Sequence, residues 1–153
     1  MERTTFRKRI KIAVMVLVLS VPIVYGVAHG DSLKWAFLSM VAESKFEAGQ
    51  YTDAMIIAQK ALEIAESNVG SDPSCVVISL NNLAKLHRIQ GEYAVAETLY
   101  QRALTIQEKA LGLAHPQAVK SLKDLASLYR ATNQEAKAER LETQATFLQS
   151  IHG

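Results

Sequence analysis

The chain repeats itself at a spacing of 42 residues. The repeated elements are Gly49-Gln50-Tyr51 followed by Ala54, Gly91-Glu92-Tyr93 followed by Ala96, and Asn133-Gln134-Glu135 followed by Ala138. Residues 79–103 and 121–145 are identical at 11 of 25 positions. Self-similarity at a period of about 20 to 50 residues is typical of a solenoid, in which each unit buries its apolar face against its neighbour. Function is therefore expected on a surface rather than in an enclosed pocket.

Each repeat is predicted to be a helical hairpin, because apolar residues recur at i, i+3, i+4 and i+7 in both of its halves. Gly49, Gly91 and Asn133 separate the halves, at positions where a left-handed residue ends a helix. Pro73 and Pro116 suit the first turn of the next hairpin. Small side chains are expected where the two helices of a hairpin cross, at alanines 42, 84 and 126 and again at 54, 96 and 138. Six helices follow.

Residues 79–130 resemble a tetratricopeptide repeat of the 42-residue kind found in kinesin light chains. The residues that carry the resemblance are Leu80, Leu83, Ala84, Gly91, Tyr93, Ala96, Tyr100 and Ala103, with Leu111, Gly112, His115 and Pro116 in the link to the next repeat. The resemblance implies an all-α fold, a right-handed superhelical solenoid of three helix-turn-helix repeats over residues 33–150. The approximate repeat bounds are 33–73, 74–115 and 116–150.

The third repeat departs from the pattern. Glu135 and Glu142 replace the aromatic residues expected there, which suits an end cap. Because no separate capping helix follows, Phe147, Leu148 and Ile151 are expected to be partly exposed.

Residues 1–30 form a different kind of segment. Five Lys and Arg residues precede an uncharged run from Ile12 to Ala28, which predicts an N-terminal hydrophobic helix. Its length suits both a signal peptide, cleaved before His29 or Asp31, and a membrane anchor held by residues 12–28. Both interpretations leave the N-terminus in the cytoplasm and the repeats outside it, in a periplasmic or secreted protein or a single-pass membrane protein.

The remaining residues exclude several classes of function. Residues 31–153 carry 12 Lys and Arg against 14 Asp and Glu, which argues against nucleic acid as a partner. Cys75 is the only cysteine, so no intrachain disulfide can form. The four histidines are scattered, and no phosphate-binding loop or paired nucleophile and base is present. We therefore expect no metal, no cofactor, no catalytic residue and no enzymatic activity.

The resemblance implies that the first helices of the repeats line a groove for a peptide or a partner helix. Polar residues form single-faced stripes there. The stripes consist of Asn81, Lys85 and Arg88 in repeat two and Lys120, Lys123, Ser127 and Arg130 in repeat three, with Ser39, Glu43 and Phe46 at related places in repeat one. We expect an acidic or C-terminal peptide, with Asn81 bonding its backbone and the cations its carboxylates. A solvated charged face that binds nothing is the alternative.

The sequence favours a non-enzymatic, exported or membrane-anchored adaptor that binds a protein or peptide. The alternative is a structural subunit of a membrane complex, held by residues 12–28. Trp35 and Phe37 suit either the membrane interface or the core of the first helix. Self-association through the C-terminal helix also stays open.

Overall fold

The computed structural model describes residues 30–67, 72–112 and 115–151, and the leader segment of residues 1–29 lies outside them. The described residues form six α-helices and the turns between them. The helices are α1 (Gly30–Glu47), α2 (Tyr51–Ser67), α3 (Pro73–Ile89), α4 (Tyr93–Leu111), α5 (Pro116–Ala131) and α6 (Glu135–Ser150). The six predicted helices are confirmed, and α1 begins before Leu33, where the first repeat was expected to start.

The turn inside each hairpin is built in the same way three times. Gly49, Gly91 and Asn133 have φ values of 74°, 79° and 57°. In the second repeat the Gly91 amide donates to the Arg88 carbonyl at 3.1 Å, and the Glu92 amide donates to the His87 carbonyl at 2.9 Å. This paired bonding satisfies carbonyls that the end of a helix would otherwise leave free. The predicted left-handed turn residues are confirmed.

The links between hairpins start their helices with a proline and a side-chain cap. Asp72 Oδ1 accepts a hydrogen bond from the Ser74 amide at 2.9 Å ahead of α3. His115 Nδ1 accepts one from the Gln117 amide at 3.3 Å ahead of α5. Each cap satisfies one of the free amide groups at a helix N-terminus. The linker histidine therefore has a structural role.

Small residues lie at the helix crossings, as predicted. All six alanines at positions 42, 54, 84, 96, 126 and 138 are buried. Ala42 of α1 shares a core cluster with Ala54 and Ala58 of α2, and Ala84, Ala126 and Ala138 share the next. Close approach of the backbones at these points lets the neighbouring leucines fill the rest of the core.

The hairpins stack one on the next. Helices α3 and α4 pack together, as do α5 and α6, while α2 packs on α3 and α4 packs on α5. Tyr129 of α5 links three helices: its hydroxyl donates to Glu97 of α4 at 2.7 Å, and Lys137 of α6 lies 4.9 Å from the centre of its ring. Each hairpin thus covers an apolar face of its neighbour.

The first helices of successive repeats also touch directly. The Trp35 indole of α1 donates to Ser79 Oγ of α3 at 2.8 Å, and Asn81 Nδ2 of α3 donates to Ser121 Oγ of α5 at 2.9 Å. Ser79 and Ser121 are equivalent positions 42 residues apart, and both are buried. The contact places Trp35 against the second repeat, which favours the core interpretation of this residue.

Candidate functional site

A groove lies between α3 and α5, the first helices of repeats two and three. Its volume is about 270 Å³, and one residue of α4 contributes to its lining. The lining residues are Val77, Ile78, Asn81, Asn82, Lys85, Gln107, Gln117, Lys120 and Asp124. We call this the α3–α5 groove. It contains three of the seven site residues predicted from the sequence, namely Asn81, Lys85 and Lys120.

Asn81 is held in a fixed orientation within the α3–α5 groove. Its Nδ2 donates to Ser121 Oγ, while its Oδ1 is buried and has no hydrogen-bond partner among the described residues. Because Nδ2 is anchored on Ser121, the side chain presents Oδ1 as an acceptor.

Gln107 adds a second buried amide. The residue projects from α4, is 1% exposed, and has no hydrogen-bond partner for either Oε1 or Nε2 among the described residues. A buried amide without partners is unfavourable, because it loses its bonds to water and gains none in return.

The charges of the α3–α5 groove come from Lys85, Lys120 and Asp124. Among the residues that the structure describes, none of the three forms an ion pair. Two cations and one anion leave a positive balance. The groove is thus suited to a ligand that carries at least one carboxylate.

A smaller hollow continues toward the first repeat. It lies between α1 and α3, is lined by Ala42, Glu43, Phe46, Asn82, Lys85 and Leu86, and so shares Asn82 and Lys85 with the α3–α5 groove. Of the repeat-one residues expected here, Glu43 and Phe46 line the hollow. Ser39 Oγ is buried and without a hydrogen-bond partner in the described part of the chain.

Arg88, a fourth predicted site residue, contacts α4 rather than lining the α3–α5 groove. It donates a hydrogen bond to the hydroxyl of Tyr100. Burial of Tyr100 and the negative charge of Asp124 raise its pKa to about 12, while Arg88 acts in the opposite direction. Arg88 therefore interacts with a buried phenol of α4.

The remaining predicted site residues, Lys123, Ser127 and Arg130, lie on α5 outside the lining of the groove. Lys123 Nζ donates to Gln149 Oε1 of α6 at 3.0 Å. Arg130 forms a two-pronged bond with Glu142, from Nε at 2.9 Å and from Nη2 at 2.7 Å. Its hydrogen bonds raise the pKa of Arg130 and lower that of Glu142. The structure thus separates the predicted stripe into a groove part and a part paired with α6.

Sequence reasoning missed Gln107, Gln117 and Asp124. Gln107 was missed because only first helices were considered, and it belongs to a second helix. A usable signal is present, however: Gln107 and Gln149 occupy equivalent positions 42 residues apart, where a polar residue is unexpected on a helix face that stacks on the next repeat.

His87 and Cys75 lie in the second repeat, outside the lining of the α3–α5 groove. His87 Nδ1 lies 2.5 Å from Glu92 Oε2 across the turn of repeat two. Burial raises the pKa of the Cys75 thiol, which makes it less nucleophilic at neutral pH. Within residues 30–67, 72–112 and 115–151, no three His, Cys, Asp or Glu side chains are close enough to hold a metal ion.

The C-terminal helix α6 exposes apolar side chains. Phe147 of α6 is 63% exposed and Ile151 is exposed as well, whereas Leu148 packs against Val119 and Leu122.

None of the described helices is both long enough and apolar enough to cross a membrane. The predicted hydrophobic helix over residues 12–28 lies outside the described residues.

Stacked helical hairpins with a polar groove along their first helices define a class of repeat protein that works as a scaffold for other molecules. The sequence profile of the tetratricopeptide repeat family matches this chain over residues 36–109 and 75–146. The chain belongs to the tetratricopeptide repeat family. Such repeats are generally modules for protein–protein interaction, and the family is typically non-enzymatic.

Solved structures share the fold. BtubC (BKLC) from P. vanneervenii superposes with a TM-score of 0.68 at 20% identity, over 78% of this chain and 48% of that one. A kinesin light chain-type protein from Podosopora anserina, with nearly identical TPR-like repeats, gives 0.70 at 24% identity, over 81% and 58%. The TPR domain of Arabidopsis FLU gives 0.68 at 16% identity, over 76% and 94%. The chain thus spans about half the length of the first two structures. No curated protein matches the sequence significantly.

Proposed function

We propose that the protein is a non-enzymatic adaptor that binds an acidic or C-terminal peptide segment of a partner protein in the α3–α5 groove. The observation that carries this proposal is the lining of the groove, where Asn81, Lys85 and Lys120 meet around a space of about 270 Å³. Asn81 supplies an unused acceptor for a backbone N–H. Lys85 and Lys120 supply cations for a carboxylate.

The groove part of the predicted stripe carries the binding. Lys123 and Arg130 are bonded to Gln149 and Glu142, so they would contribute only to a partner that reaches along α5 and exchanges these bonds. Arg88 is bonded to Tyr100 and supports the helix pair behind the groove.

The experiment compares two double variants, each of which replaces two positive side chains by glutamate. The full chain in detergent is used to select binders from a library of acidic peptides displayed with free C-termini, and affinities are measured by fluorescence anisotropy. Lys85→Glu with Lys120→Glu should abolish binding without changing the helical circular dichroism. Lys123→Glu with Arg130→Glu tests how far the partner extends along α5. Unaltered binding by the first pair would disprove the proposal.

We further propose that the adaptor acts outside the cytoplasm, exported or anchored by residues 12–28. The support is the sequence alone: five cations precede the apolar run, and such charges are retained on the cytoplasmic side. N-terminal sequencing and intact mass of the protein from membrane and soluble fractions test this. A start at His29 or Asp31 in the soluble fraction indicates export with cleavage, and Met1 in the membrane fraction indicates an anchor. An intact protein confined to the soluble cytoplasm would contradict the proposal.

A structural subunit of a membrane complex is the second candidate function. It is favoured by an exposed apolar stripe at i, i+4 and i+7 of α1, formed by Leu33, Phe37 and Met40. A packed subunit needs a specific order of residues in Ile12–Val27, whereas an adaptor needs only their apolar character. Scrambling that segment should spare partner capture by an adaptor and disrupt the assembly of a packed subunit.

A further inference from the structure

Two amide side chains line the α3–α5 groove and carry three buried atoms that have no hydrogen-bond partner among the described residues. They are Oε1 and Nε2 of Gln107 and Oδ1 of Asn81. Both residues line the same space, and Gln107 is 1% exposed. Buried polar atoms in folded proteins are nearly always bonded, so three such atoms in one groove call for a functional explanation.

The three atoms restrict the chemistry of what they can bind. Oε1 of Gln107 and Oδ1 of Asn81 accept hydrogen bonds, whereas Nε2 of Gln107 donates them. A carboxylate would satisfy only Nε2, and an ammonium group would satisfy only the two oxygens. A chain of peptide groups offers N–H and C=O alternately and can satisfy all three.

We propose that Gln107, together with Asn81, recognises the main-chain amide groups of an extended peptide at the bottom of the α3–α5 groove. This inference rests on the proposed function and adds to it a residue from a second helix of the repeat. The two pairs of residues in the groove would then recognise different features of the peptide. Lys85 and Lys120 select a carboxylate, while Gln107 and Asn81 bind the backbone whatever the side chains are.

The third repeat provides a matched control position. Gln149 is equivalent to Gln107, but it is exposed on α6 and accepts a hydrogen bond from Lys123 at 3.0 Å. Substitution of Gln149 removes the same chemical group from a place outside the groove. Any effect limited to Gln107 therefore reports on the groove.

The first measurement compares the unliganded variants Gln107→Leu and Gln149→Leu with the parent full chain in detergent. Leucine replaces an unbonded amide at position 107 by an apolar group of similar size, so the melting temperature should stay the same or rise. A clear fall for Gln107→Leu alone would show that the amide stabilises the fold itself, and would overturn the inference.

The second measurement uses peptides selected from the acidic C-terminal library. Each backbone amide is replaced in turn by an ester, which removes one N–H and weakens the adjacent carbonyl acceptor. One or two positions should weaken binding to the parent chain by about tenfold, the equivalent of one hydrogen bond. Gln107→Leu should weaken binding of the unmodified peptide similarly and should abolish the effect of the critical ester. Gln149→Leu should behave as the parent.

The outcomes separate the two proposals. Binding that depends on Lys85 and Lys120 but is unchanged by Gln107→Leu, with an additive ester effect, overturns this inference and leaves the adaptor function standing. If no peptide binds in a manner that depends on Lys85 and Lys120, the proposed function fails and this inference fails with it.

Discussion

The junction between repeats two and three and the end of repeat three use equivalent positions in opposite ways. At the junction, Tyr100 and Gln107 of α4 are buried under α5. Their equivalents on α6 are Glu142 and Gln149, which bond to Arg130 and Lys123 near solvent. Equivalent positions of this repeat therefore have different environments, depending on whether a helix of another hairpin covers them.

The largest expected effect separates the junction from the end by packing alone. Leu128 lies in the core cluster that joins repeats two and three and is 1% exposed, and Leu128→Ala should lower the free energy of unfolding by about 2–5 kcal/mol, through lost transfer energy and a cavity. Phe147→Ala at the exposed end should change it by less than about 0.5 kcal/mol. Urea unfolding followed by circular dichroism measures both. Equal losses would mean that α6 is covered in solution.

The turns provide the next comparison. Gly91→Ala should cost about 1–2 kcal/mol, because a φ of 79° is unfavourable for a residue with a Cβ. The added Cβ meets no atom within 4 Å, so the backbone alone causes the loss. Asn133→Gly in the third repeat removes a mild version of the same strain and should be neutral within about 0.5 kcal/mol. Urea unfolding measures the free energy of unfolding of both variants. An unchanged value for Gly91→Ala would contradict the assignment of Gly91 as a left-handed turn residue.

Alkaline titration tests the buried phenol at the junction. Burial, supported by Asp124, raises the pKa of Tyr100 to about 12. A proton held more tightly in the folded state stabilises the protein below the unfolded pKa of about 10, and this contribution is lost as the pH rises toward 12. Ultraviolet difference absorbance should show a last ionisation step that Tyr100→Phe removes and Tyr93→Phe leaves in place. If Tyr100→Phe removes an earlier step, the phenol is not buried.

The smallest effect concerns the ion pair at the end of the stack. Hydrogen bonds from Arg130 lower the pKa of Glu142 below its ordinary value of about 4.5. A carboxyl with a depressed pKa stabilises the fold above its unfolded pKa, and the contribution disappears as the pH falls through the folded value. The protection of the α6 amides, taken as the intrinsic exchange rate relative to the measured rate at the same pH, should therefore fall on acidification below about pH 4.5. Arg130→Gln should flatten this pH dependence in α6 and leave that of α4 unchanged, and an identical pH profile in the variant would remove Arg130 as the cause.

Most of the fold could be predicted because its determinants are local and recur. Gly49, Gly91 and Asn133 mark the turns, and the alanines mark the crossings, each within a few residues of the feature that it specifies. The groove could be predicted in part. Asn81, Lys85 and Lys120 lie on helix faces that periodicity identifies.

The rest of the site depends on contacts between repeats, which a helical period does not show. Gln107 lines the groove only because α5 stacks over α4. Lys123 and Arg130 belong to the same sequence stripes as Lys120, yet they bond to α6, the second helix of their own hairpin.

The bond from Trp35 to Ser79 gives the protein a built-in optical probe. Trp35 is the only tryptophan of the chain, and its indole N–H is bonded across the boundary between repeats one and two. Stacked repeats interact mainly with their neighbours and can open from one end. Loss of that single bond would change the emission of the indole while the helices of repeats two and three stay intact. The separation of repeat one from repeat two can thus be followed by fluorescence without any label.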